Sequence, residues 1–168
     1  QLPPTDAWGR EFVTMPLATR TNGDTFRFLA ATDGTTVSMN GQVVATLNRG
    51  EFHERILTLP SEISANHPIL VAQYSNGTEF DGVTSDPFML IVPPFEQFLA
   101  NYTVTTPATG FDKNFVNILA PGATVGQIDV DGTKVAADKY VRVGSSDFYG
   151  TQLPVNLGSH TLAGPLPF

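Results

Sequence analysis

The chain has 168 residues and a formal net charge of -7, from sixteen Asp and Glu against nine Lys and Arg. Those nine cations are scattered, and without a cluster to displace counterions from phosphates a nucleic-acid partner is not expected. There is no cysteine, which removes disulfides, thiolate metal sites and thiol catalysis together. No run approaches the roughly 18 apolar residues of a membrane-spanning helix, so membrane insertion is not expected either.

Hydrophobic residues make up 41% of the chain, enough to form a core, and the 15 Gly and 13 Pro supply turns. Apolar residues recur mostly with period two, the mark of strands. In chain order the first strand is expected at 25–31 (TFRFLAA). The next two are 35–41 and 42–47, joined through Asn40-Gly41. Asn-Gly supplies the positive φ angles of a type I′ turn, so 35–47 reads as a hairpin. Strands follow at 53–59, 68–75 and 87–93. Residues 94–102 (PFEQFLANY) carry a short helical signal. Strands resume at 101–106, 115–120, 126–132, 139–144, 153–158 and 160–163, with Asp131-Gly132 as a second hairpin turn.

The second half repeats the first. Thr14-Met15-Pro16 precedes one copy and Thr105-Thr106-Pro107 the other. Phe26 is set against Phe115, Leu29 against Ile118 or Leu119, and Asn40-Gly41 against Asp131-Gly132. SEISANHPIL (61–70) is set against SHTLAGPLPF (159–168), with a longer loop at 145–150 absorbing the drift. The expected fold is therefore all-β, with two homologous antiparallel sandwich-like lobes at 1–93 and 94–168 packed as one unit. In the first copy Pro68 leads into ILVAQYS; in the second, Pro165 leads into LPF. The last strand of the second lobe is thus expected to be missing. The region of Leu166, Pro167 and Phe168 is then an open edge that could accept a strand in trans.

Several segments resemble the N-terminal domain of the IgG Fc-binding protein family. They are WGREF, GDTFRFLAATDGTTVSMNG, LNRGEF, PILVAQYS, DGVTSDPFMLIVPPFEQF and LGSHTLAGPLPF, covering about 8–168 in order. The resemblance implies a domain that continues into a strand past the final Pro-Phe, in an extracellular, adhesive or mucus-related setting. It carries no ligand-contacting residues onto this sequence. Family members occur in bacterial surface and secreted proteins. A cysteine-free, Thr-rich, acidic chain points the same way, to a secreted or cell-surface protein of bacterial origin.

Catalytic constellations are weak. His53, His67 and His160 have no zinc-protease spacing and no nucleophile elbow nearby, so they read as surface or turn histidines. Asp129 and Asp131 alternate on a strand and could converge as a carboxylate pair, but they sit at a hairpin tip, where Asp simply favours the turn. Lys113, Lys134 and Lys139 read as solvent-facing, which speaks against an isopeptide cross-link. Trp8, Tyr140 and Tyr149 are candidate sugar platforms.

The loop 76–87 (NGTEFDGVTSDP) is the leading candidate site. It places Glu79, Asp81 and Asp86 around Phe80 between two apolar strands. Loops on a rigid scaffold commonly bind, and oxygen-rich loops can take calcium. The functional expectation is a non-enzymatic recognition or adhesion module binding an extracellular protein or glycan. The alternative is a structural spacer with no ligand of its own.

Overall fold

The structure is a computed structural model and describes residues 2–84 and 86–168. The chain divides into two compact units, Gln1–Gln97 and Phe98–Phe168. Strand pairing is antiparallel in both.

The first unit contains β1 (Gly9–Thr14), β2 (Asp24–Ala30), β3 (Thr35–Met39), β4 (Gln42–Leu47), β5 (Phe52–Leu57), β6 (Ser61–Ser75) and β7 (Phe88–Val92). β6 is its spine. The N-terminal half of β6 lies between β1 and β3, with β4 beyond β3. Its C-terminal half lies between β2 and β7, with β5 beyond β2. The change-over falls between Ala65, the last partner of β3, and Ile69, the first partner of β2. Pro68 sits in that gap, where its missing N–H costs no ladder bond. Alternation along β2 turns Asp24, Phe26, Phe28 and Ala30 inward. With Phe12, Val37, Ile63, Ile69 and Val71, the three apolar residues Phe26, Phe28 and Ala30 form the core. Burying each of the large side chains stabilises the unit by about 1.5–3 kcal/mol.

The second unit contains β8 (Asn101–Thr105), β9 (Asn114–Pro121), β10 (Asp129–Val130), β11 (Thr133–Lys134), β12 (Val141–Arg142), β13 (Phe148–Val155) and β14 (Ser159–Ala163). One sheet runs β11-β10-β14-β8, the other β12-β13-β9. Ile118, Ala120, Ile128, Val135, Tyr140, Leu162 and Phe168 fill its core.

Both hairpin turns form as expected. Asn40 and Gly41 have φ of 49° and 78°, Asp131 and Gly132 of 52° and 78°. Other expectations change. β1 was not anticipated from the sequence, and β6 reaches back to Ser61 rather than starting at Pro68. The helical signal at 94–102 yields only a 3-10 turn, Phe95–Gln97, before β8 begins. The expected loop at 145–150 is partly strand, because β13 starts at Phe148 and ends at Val155. The strand expected at 126–132 shrinks to two residues: Gly126 takes a φ of 77° and Asp131 is already in the turn. The match of Phe26 to Phe115 fails in phase. Phe26 is fully buried, whereas Phe115 is 40% exposed on the opposite face of its strand from Ile118.

Candidate functional site

The loop after β6 is held by the segment before β2. Residues Thr78–Asp81 form one helical turn, α1, closed by Gly82 at a φ of 71°, whose N–H donates to Thr78 C=O at 2.8 Å. A left-handed residue after the last turn is the usual glycine helix stop. Arg20 Nη1 donates to both oxygens of Asp81, at 3.0 and 3.3 Å, and Nη2 to Ser75 Oγ at 2.7 Å. The two charged side chains are 5% and 0% exposed. Asn22 Nδ2 donates to Phe80 C=O at 2.6 Å, and Thr25 Oγ1 to Asn76 Oδ1 at 2.9 Å.

The four expected site residues therefore divide. Glu79 and Phe80 stand exposed on α1, and Asp86 is exposed further along. Asp81 points inward as the anchor. Arg20, far away in sequence, is the ion-pair partner that the sequence did not reveal. Its guanidinium occupies the Asp81 carboxylate, so that carboxylate is engaged in an ion pair. Among the described residues no group of three or more His, Cys, Asp or Glu is placed to hold a metal.

Behind the loop lies Asp24, fully buried. Its Oδ2 accepts from the Leu17 N–H at 2.5 Å and from Gln73 Nε2 at 2.8 Å. Oδ1 has no partner. Burial pushes this carboxyl above its ordinary range, against the opposing pull of those two hydrogen bonds.

The second unit holds a cluster built from His160, expected at the surface, and Asp131, expected only as a turn former. His160 is 7% exposed. Its Nδ1 lies 2.6 Å from Asp131 Oδ2 and its Nε2 lies 2.8 Å from Asn156 C=O. Both ring nitrogens face acceptors, a demand only the protonated ring satisfies. The Asp131 carboxylate first, then the Asn156 carbonyl, raises the imidazole above its usual range. Asp131 is thereby committed to the turn and the histidine. It does not converge with Asp129, because β10 ends at Val130.

The aromatic candidates also separate. Tyr140 is a core residue at 8% exposure. Trp8 donates from its indole to Pro3 C=O at 3.1 Å. With Pro3, Pro4, Phe12, Pro93 and Pro94 it lines an open cleft of about 530 Å³ in the first unit. The lysines are exposed as expected. Leu166 and Pro167 are exposed and outside any strand. Phe168 is buried at 6%. Its N–H donates to Leu99 C=O at 3.0 Å, and its C=O accepts from Tyr102 Oη at 2.7 Å.

The family model for IgGFc binding protein matches residues 1–168. The chain belongs to that family. Among curated relatives it is similar to the human IgGFc-binding protein, with 28% identity over 145 residues. That match covers 82% of this chain and 3% of the relative, so the chain spans a small fraction of the relative's length. No solved structure matches the chain significantly. A human relative lends no support to the expected bacterial origin.

Proposed function

We propose that this chain is a non-enzymatic extracellular recognition module of a larger secreted or surface protein. In this reading Glu79 and Phe80 contact an extracellular protein or glycan ligand. The observation that carries it is the pinned loop. Two adjacent exposed residues, one charged and one aromatic, ride on a helical turn tied down by a buried ion pair. Such a loop loses little entropy on binding, because its backbone is already ordered. Exposed aromatics presented this way are frequent binding anchors. Membership of the IgGFc binding protein family supports the reading from the side of descent. Asp86 contributes charge at the loop's far end, and calcium is not required.

The test is binding of the whole chain to immobilised Fc, mucins and a glycan panel, alongside a Glu79→Ala/Phe80→Ala variant. Saturable binding lost in the variant supports the reading. Binding untouched by the variant moves the site elsewhere. Silence across the panel favours a structural spacer.

A further inference from the structure

The triplet Asn-x-Thr, with x other than Pro, occurs at Asn76-Gly77-Thr78 and at Asn101-Tyr102-Thr103. It is the acceptor pattern for an N-linked glycan, in which the amide takes the sugar and a hydroxyl two residues on is read with it. So short a pattern also arises by chance, and local structure decides what each copy can carry.

Asn101 opens β8. Residues two apart on a strand share a face, so Asn101 and Thr103 point the same way. Both are exposed. Tyr102 between them turns to the other face and fixes that orientation. Its ring packs edge-on against buried Phe168, with centroids 5.2 Å apart. Its hydroxyl donates to Phe168 C=O at 2.7 Å and accepts the Leu99 N–H at 2.8 Å. β14 continues the solvent face, with Ala163 opposite Asn101, Thr161 opposite Thr103 and Ser159 opposite Thr105. These two strands thus surround the amide with hydroxyls and a methyl group, and their outer face carries no charged side chain.

Asn76 is held instead. It is half-buried just after β6 ends. Its Oδ1 accepts from Thr25 Oγ1 at 2.9 Å, and its Nδ2 donates to Gly23 C=O at 3.3 Å. Thr78 already begins the helical turn α1. A sugar on the Asn76 amide would compete with the Gly23 contact and crowd the segment that clamps the loop.

We propose that Asn101, and not Asn76, carries an N-linked glycan in the folded chain when it is exported through a route that supplies a lipid-pyrophosphate-linked oligosaccharide. The Asn101 Nδ2 bonds to the anomeric carbon of the first sugar. The bond from that carbon to the phosphate oxygen breaks, the lipid pyrophosphate leaves, and the amide gives up one proton. The site rests on the extracellular placement in the recognition reading and leaves Glu79 and Phe80 uncovered.

The test secretes the whole chain from cultured animal cells behind a cleavable leader. Glycosylated positions are mapped by enzymatic deglycosylation in heavy-oxygen water, which turns each vacated asparagine into a labelled aspartate. The expected result is a label at Asn101 in most of the folded, secreted chain and none at Asn76. On gels the glycosidase-sensitive shift disappears in Asn101→Gln and in Thr103→Ala, and returns in Thr103→Ser. Should a variant fail to be secreted, the map on the unaltered chain decides alone. An unlabelled Asn101 in the folded chain overturns the proposal, and so does a label at Asn76. Asn101→Gln leaves ligand binding by the Glu79 and Phe80 loop intact. An occupied Asn101 with a silent ligand panel therefore sinks the loop reading alone, and a bare Asn101 in a chain that binds sinks the glycan site alone.

Discussion

His160 of β14 and Asp131 of the β10–β11 turn meet at 2.6 Å where β14 pairs with β10. The pair should make the stability of the second unit depend on pH. The imidazole is raised in the folded state, by Asp131 first and Asn156 second. Its stabilising contribution is therefore fully present below the ordinary value of 6.5 and is lost as pH rises through the raised folded value. Asp131 is lowered, chiefly by His160, so its contribution is present above 3.8 and is lost as pH falls through the depressed value. Thermal melting of the chain should peak between those limits. His160→Gln should flatten the alkaline side of that profile.

Asp131→Asn isolates the charge from the turn. Asn40 shows that an amide oxygen caps the receiving strand equally well. The variant should keep the hairpin, seen as unchanged exchange of the Thr161 amide. It should also lose most of the pH dependence that His160 confers.

Breaking the loop clamp should be costly on one side and mild on both. Asp81→Ala leaves the Arg20 charge buried without its carboxylate, and such a loss typically costs about 3–5 kcal/mol. Replacing both with apolar residues of similar size should cost much less. Denaturant melts of the two variants measure the difference, and amide exchange across 76–82 should rise in the single variant.

Phe26 and Phe115 should differ sharply despite their similar sequence settings. Phe26→Ala empties a fully buried position, and such changes cost about 3–5 kcal/mol. Phe115 is 40% exposed, so Phe115→Ala should stay within about 1 kcal/mol. Calcium should leave the melting temperature unchanged, because Arg20 already holds the Asp81 carboxylate.

Most strands were legible because one face of each packs inward, which imposes period two on segments such as TFRFLAA. The two hairpin turns were legible because Asn-Gly and Asp-Gly meet a requirement for positive φ that few other residue pairs meet. β1 escaped because Phe12, Val13 and Thr14 are all buried and so break the alternation. The half of β6 before Pro68 escaped because Ile63 is its one large apolar side chain, among Ser, Glu, Ala, Asn and His, too few to mark a buried face. Of the candidate site, Glu79, Phe80 and Asp86 were readable as an exposed polar loop. The role of Asp81 was not, because Arg20 reaches it from another part of the chain through tertiary packing. The His160 cluster was hidden for the same reason: its partners come from a hairpin tip and a turn that only the sheet brings together.

The most direct measurement of the central claim is equilibrium binding of the whole chain to immobilised Fc, mucin and glycans, with and without calcium. The account predicts saturable, calcium-independent binding to a member of that panel, weakened about tenfold or more by Glu79→Ala/Phe80→Ala while melting is unchanged. A flat response across the panel from a well-folded chain would contradict it.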